Sequence, residues 1–226
     1  MSLEEALNSL RRGEFVLLHD GDSRENEVDM VVAADFITPE HIARMRRDAG
    51  GLICLSVDHA FAKEIGLRYM HDILSSSQGI DAGSKEMIIG KAPYGDRPSF
   101  SISINHKNTY TGVTDRDRAL TMSEMATIYK SPLADKKGSF NSSFRTPGHV
   151  PVLIASEGLL ASRLGHTEMS VYLATLAGLS PITVICEMLD AETYGALSAE
   201  KAKQYASRNA IPYFDGSTLV EYAKGH

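Results

Sequence analysis

The sequence predicts an α+β fold: one domain over residues 1–226, with a mixed β-sheet flanked by helices. Three observations point there. Apolar runs of strand length such as EFVLLHD, MVVAADF, GLICLSV and PITVICEML recur along the chain, and helical patterns lie between them. The two kinds do not alternate strictly, as an all-parallel sheet would require. The chain has 226 residues, 43 % hydrophobic and 23 % charged, with no linker long enough to force a split and no internal repeat. A chain of this size removes about 70–75 % of its unfolded surface from water, so a full core is available.

The elements follow in order. Leu3, Ala6, Leu7 and Leu10 recur at helical spacing and Gly13 follows, which predicts a helix over 2–12. EFVLLHD (14–20) is a strand, DGDSRENEVD (20–29) a polar connection, and MVVAADF (30–36) the next strand. Thr38 caps a helix with Pro39 at its first position, and Gly50 ends it. GLICLSV (51–57) is a buried strand, and a helix follows over 58–66. Residues 75–98 are rich in Ser, Gly and Pro and are read as a long loop, with room for a short strand at MIIG. SFSISINH (99–106) alternates as a half-exposed strand. A short helix over 123–130 and a soft segment over 135–149 follow, and the latter leads into VPVLIASEGLL. A helix over 166–179, a buried strand over 181–189 and a helix over 198–208 complete the reading.

Charge and composition exclude several classes. Lys and Arg total 23 against 29 Asp and Glu, a formal charge of −6. A general nucleic-acid binder carries the opposite balance, whereas a small phosphorylated ligand needs only a local positive site. Two cysteines, Cys54 and Cys186, cannot build a disulfide framework or a four-thiolate zinc site, and both lie in apolar runs that suit buried core residues. No run approaches 18 apolar residues, and the N-terminus lacks the pattern of a secretory signal. A soluble cytoplasmic protein without a membrane partner is expected. The phosphate-loop, nucleophile-elbow and HExxH signatures are absent from the sequence.

Five constellations can carry chemistry. Asp20, Asp22, Glu25, Glu27 and Asp29 fall within ten residues, with Arg24 as their one cation. Such a run is ordinarily a solvated loop. Here two apolar strands fix its ends, and an Arg beside a Glu suggests a divided task, guanidinium on an anion and carboxylate on Mg²⁺ or Mn²⁺. RLGHTEMS (163–170) places Thr167 at an expected helix cap, and a helix N-terminus binds phosphate readily. Arg163 can add bidentate contacts, Gly165 permits close approach, and His166 is either structural or a metal ligand. Glu187, in an apolar strand, is either a strand end turned to water or an acid/base group with a raised pKa. His149 follows Pro-Gly in RTPGHV and, taken alone, reads as a surface turn. TYTGVTDRDRALT (109–121) is a hydroxyl-rich turn that capping and surface ion pairs account for.

Together, DSRENEVDM, GGLICLSV, FSISI, TGVTDRDRALT, RTPGHV, RLGHTEMSVYLATLAGL and ICEM resemble, in order, the 3,4-dihydroxy-2-butanone 4-phosphate (DHBP) synthases of riboflavin biosynthesis. The resemblance spans about residues 3–190 and is to the stand-alone, archaeal-style form. It implies a DHBP synthase-like fold, a homodimer, and conversion of D-ribulose 5-phosphate to L-3,4-dihydroxybutan-2-one 4-phosphate and formate with Mg²⁺. By position, it implies metal ligation by Glu25 and His166. It implies substrate contacts from Arg24 and Asp29, a phosphate-holding turn at Arg163, Gly165 and Thr167, and catalysis by His149 and Glu187. Cys54 and Thr111 match positions near the substrate. Asp29 or Glu187 is expected to move an early proton, with His149 acting later. Val28 stands where many members carry Gly, so a loop that needs φ > 0 there would close differently. Two other readings remain open: a metal-dependent sugar-phosphate isomerase or aldolase, and a ligand-binding domain of the same fold without chemistry.

Overall fold

A computed structural model describes residues 2–21, 24–88 and 90–225. Nine strands appear among the described residues: β1 (Val16–His19), β2 (Val28–Ala33), β3 (Cys54–Val57), β4 (Phe100–His106), β5 (Phe144–Ile154), β6 (Ile182–Glu187), β7 (Leu189–Asp190), β8 (Gly195–Ala196) and β9 (Tyr213–Asp215). Seven of them form one mixed sheet in the order β4-β5-β3-β6-β2-β1-β9, and β7 and β8 form a separate hairpin. Within the large sheet, β3–β5 and β1–β9 are parallel and the other neighbours antiparallel. The expected α+β class with a mixed sheet is what the chain adopts.

Both sheet faces are apolar, which is why the central strands read as continuous hydrophobic runs rather than alternating ones. One face buries Leu17, Met30, Val32, Leu55, Val152, Val184 and Cys186. The helices against it are α2 (Pro39–Arg44), α3 (His59–Ile65), α6 (Asp115–Lys130), α7 (Lys136–Ser143) and α9 (Ala199–Asn209), through Ile42, Phe61, Met122, Met125, Phe140 and Ala202. The other face buries Val16, Leu18, Val31, Cys54, Leu153 and Ile185 against α1 (Leu3–Arg11), α8 (His166–Leu176) and α10 (Gly216–Lys224). Complete burial of one such aliphatic side chain contributes about 1.5–3 kcal/mol, so the order of strands is fixed by many independent contacts. No helix of the described residues is long and apolar enough to cross a membrane.

Several sequence expectations are corrected in detail. The region 75–98 is not a plain loop. The end of α4 (Met70–Ser76) and all of α5 (Ala82–Ile88) lie in it. Asp81 caps α5 by accepting from the Ser84 N–H at 3.0 Å, a start signal hidden in a Ser/Gly-rich stretch. Met87 and Ile88 of the suggested MIIG strand are therefore helical, and Ile89 lies outside the described residues. The helix expected over 123–130 begins at Asp115 instead, because Thr114 caps it and accepts from the Asp117 N–H at 3.2 Å. The soft segment contains α7, capped by Asp135. Val28 lies in β2, fully buried opposite His19, so no positive φ is needed there; among the described residues of that loop, Gly21 and Asn26 take positive φ, 98° and 54°.

Candidate active site

The sheet brings the acidic segment and the far half of the chain together. Asp29 in β2 is the register partner of Glu187 at the end of β6, so two carboxylates stand on adjacent strands. Beside them the N-terminus of α8 delivers His166. A cavity of about 160 Å³ opens between these elements, lined by Arg24, Glu25, Asp29, Cys54, Arg163, His166, Thr167 and Glu187. Tyr94, Pro98, Ser99, Phe100, Leu153 and Ile185 complete its wall.

Asp20 organises the acidic loop. Its Oδ2 accepts from the Glu25 N–H at 3.1 Å and its Oδ1 from the Glu27 N–H at 3.0 Å. Arg24 donates from Nη1 to Asp20 at 3.1 Å and stands 3.0 Å from Glu25 Oε2. Its Nε bonds Asp96 at 3.2 Å, while the buried Nη2 has no hydrogen-bond partner among the described residues. Asp22 lies outside the described residues.

His166, 5 % exposed, is held on three sides. Nδ1 lies 3.4 Å from Glu25 Oε2, and Nε2 lies 3.2 Å from the Glu27 carbonyl and 3.7 Å from Asp29 Oδ1. Burial opposes charge on the ring, yet Asp29 and Glu25 outweigh it and push the imidazolium pKa up to about 9. Burial also acts against Glu25, but hydrogen bonds from His166 and Tyr94 and the charge of Arg24 hold its carboxyl at about 2. Asp29 is different: burial dominates and raises it to about 7 despite His166, with Glu187 and Glu27 adding to the rise. Its Oδ1 is buried without a hydrogen-bond partner among the described residues.

Asp20, Glu25 and His166 each offer one ligand atom, and these atoms lie within 4.8 Å of one another. Two carboxylates and an imidazole that gives up its proton suit a divalent cation, and their ligand atoms converge on one space.

The turn before α8 differs from expectation in one respect. The helix starts at His166 and its cap is Gly165, so Thr167 is the second helical residue rather than the cap. Thr167 remains buried and on the cavity wall. A Cβ at Gly165 would run into the Arg163 guanidinium, so a side chain there would displace it. Arg163 is fixed by Glu168, fully buried, through a 2.6 Å bond from Nη1. Glu187 accepts from the Leu52 N–H at 2.7 Å, and the close pass of Gly51 leaves no room for a side chain there. Cys54 is buried on the cavity wall, and burial raises its thiol well above the usual range. Cys186 faces the other core and is raised to about 12 for the same reason.

The structure does not bring His149 or Thr111 to this cavity. His149 is exposed on β5, where the register with β4 slips. Its backbone N–H donates to Asn105 Oδ1 at 2.8 Å, and its Nδ1 lies 3.1 Å from Asn105 Nδ2. The same Asn105 amide donates to the Thr111 carbonyl at 3.4 Å, and the Thr111 hydroxyl to Asp117 at 3.4 Å. Sequence reasoning missed Tyr94, Asp96, Asn105 and Glu168; an apolar-strand Asn and an Asp between Gly and Arg carry no motif of their own.

Residues 4–222 match the profile of the 3,4-dihydroxy-2-butanone 4-phosphate synthase family. The chain is 45 % identical over 224 residues to the 3,4-dihydroxy-2-butanone 4-phosphate synthase of Methanothermobacter thermautotrophicus, covering 97 % of this chain and 94 % of that protein. The synthase of Archaeoglobus fulgidus is 42 % identical over 223 residues, with 98 % and 94 % covered. Among solved structures, a 3,4-dihydroxy-2-butanone 4-phosphate synthase in complex with two magnesium ions superposes with a TM-score of 0.79 at 28 % identity, covering 100 % of this chain and 97 % of that one. The Candida albicans synthase gives 0.76 at 32 % identity, with 99 % and 97 % covered.

Proposed function

We infer from the family to which this chain belongs, the 3,4-dihydroxy-2-butanone 4-phosphate synthases, that it is a lyase of riboflavin biosynthesis. It converts D-ribulose 5-phosphate to L-3,4-dihydroxybutan-2-one 4-phosphate and formate. The observation that carries the assignment of roles is the polarity of the cavity. Carboxylates Asp29 and Glu187 stand on the sheet, and the cations Arg24 and Arg163 line the same cavity with the first turn of α8.

The reaction begins with loss of a proton from C3 of the sugar. Asp29 suits that step, because a carboxyl at about 7 is half ionised near neutrality and keeps a free lone pair on Oδ1. Glu187, oriented by the Leu52 N–H, passes a proton at an adjoining oxygen in the later dehydration and rearrangement. Arg163, Thr167 and the first N–H groups of α8 hold the phosphate, and Gly165 lets it approach the backbone. A fixed phosphate sets the reacting carbons against Asp29, which saves the entropy of finding that pose. Arg24 contributes its unpaired Nη2 to a substrate oxygen. The Cys54 thiol packs against the substrate without supplying a nucleophile.

Glu25 and His166, with Asp20 beside them, would hold the divalent cation, Mg²⁺ or Mn²⁺. When bound, that cation polarises the carbonyl and stabilises oxyanion charge.

His149 and Thr111 enter through a homodimer. Leu52, Phe100, Tyr110 and Val113 are 48, 39, 95 and 52 % exposed, and Phe100 lines the cavity while Tyr110 and Val113 flank Thr111 in sequence. A second copy covering this face brings His149 and Thr111 of one subunit toward the cavity of the other.

The test is substrate labelled with ¹³C at C4. The expected outcome is labelled formate at one equivalent per turnover. Unlabelled formate, or a five-carbon product, contradicts the assignment.

A further inference from the structure

The inner cavity and a larger outer groove share one wall. The inner cavity, at about 160 Å³, is smaller than the roughly 300–1,000 Å³ usual for small-molecule sites. The outer groove, about 800 Å³, runs past the turn before α8 to α10. Arg24, Tyr94 and Arg163 line both spaces. Between the two arginines stands Asp96, whose Oδ2 lies 3.2 Å from Arg24 Nε and 3.5 Å from Arg163 Nε. The Tyr94 ring lies under Arg24, 4.9 Å from the guanidinium carbon. Asp96 is carried on a tight turn, in which the Ala92 N–H donates to the Asp96 carbonyl and the Gly95 N–H to the Ala92 carbonyl, both at 2.8 Å.

One carboxylate oxygen thus accepts a hydrogen bond from Arg24 Nε and ion-pairs at longer range with Arg163 Nε, which is buried without a hydrogen-bond partner among the described residues. A phosphate monoester carries a charge of about −1.5 to −2 near neutrality, and two anions cannot share one seat without strong repulsion. We propose that Asp96 competes with the substrate's phosphate for the cationic seat between Arg24 and Arg163, so that phosphate binding expels the carboxylate and re-seats the 92–96 turn, opening the wall between groove and cavity. The inference rests on the phosphate anchor proposed above at Arg163 and Thr167. It gives Asp96 two effects: it screens the arginines from unrelated anions and couples entry of the phosphorylated end to opening of the cavity.

The experiment uses the full chain and inorganic phosphate as the probe, with affinity measured by calorimetry. Asp96→Asn keeps the shape and removes the charge, and it should tighten phosphate binding by about threefold or more, the effect of losing one partly buried competitor. Asp96→Ser should do the same. Unchanged or weaker binding in both overturns the proposal and makes Asp96 a support for the arginines instead. Hydrogen exchange on the unmutated protein gives a second reading: saturating phosphate should speed exchange at 92–96, and unchanged or slower exchange overturns the re-seating. Arg163→Ala separates the two claims. Loss of phosphate binding in that variant upholds the anchor whatever Asp96 does, and retained affinity overturns the anchor and this inference with it.

Discussion

Asp29 and His166 show how one buried contact sets two opposite chemical roles. Asp29 Oδ1 and His166 Nε2 are 3.7 Å apart, yet burial leaves the acid at about 7 while the surrounding carboxylates keep the base charged to about 9. A carboxyl at that value should give a ¹³C titration midpoint near neutrality in the metal-free protein, and a midpoint in the ordinary carboxylate range contradicts the burial argument. Asp29→Asn should lower kcat by about 10²–10⁴-fold with the fold intact, the range for loss of a positioned base; a variant of near-normal rate removes Asp29 from the proton path. A metal that ligates His166 must displace its proton, so metal affinity should climb with pH until about 9 and level off above it. Calorimetry in two buffers of different ionisation enthalpy should register proton release at about pH 7.5, and pH-independent affinity argues against His166 as a ligand. Cys54, buried and protonated, should resist alkylation in the native fold, and Cys54→Ser should retain turnover. A folded, metal-loaded variant with no activity contradicts that.

At the scale of the element, α8 is the anchor and its first turn is the most constrained part of the site. Its start depends on Gly165, Arg163 and Glu168 fitting together, the last fully buried and bonded to Arg163 at 2.6 Å. Thr167→Ala should raise KM by about tenfold with little change in kcat, the loss of one charge-assisted contact. Gly165→Ala should raise KM further, because the new methyl displaces the guanidinium. KM values unchanged from the unmutated protein in both variants argue against the phosphate seat. The sequence made α8 and its Arg-x-Gly-His-Thr turn plain, because the motif is local. It misplaced the cap, since Thr167 looks like a cap by residue type while glycine accepts that position at the same helix. Helix α5 and the first half of α6 are hidden in the sequence because their caps, Asp81 and Thr114, sit in stretches whose Ser, Gly and Asp content reads as loop.

At the scale of the whole molecule, the sheet order does what no local pattern announces. It sets β2 beside β6 and so joins Asp29 to Glu187 across more than 150 residues of chain. The apolar runs made the strands legible, but their order depends on long-range packing on both faces and had to be seen. The same holds for His149, whose motif named it but whose position on β5 separates it from the cavity of its own subunit. If it serves the partner's cavity, Asp29→Asn and His149→Ala proteins should each be nearly inactive alone. After co-refolding, a mixture should recover about a quarter of normal activity, because half the dimers then hold one intact site. No recovery despite confirmed mixed dimers contradicts the shared site. Carbon loss from a sugar phosphate is the defining step, and one assay measures it. The purified protein is mixed with D-ribulose 5-phosphate and Mg²⁺, and formate is measured with and without EDTA. Stoichiometric formate that EDTA abolishes is expected, whereas a pentose phosphate product without formate would contradict the lyase assignment and favour an isomerase.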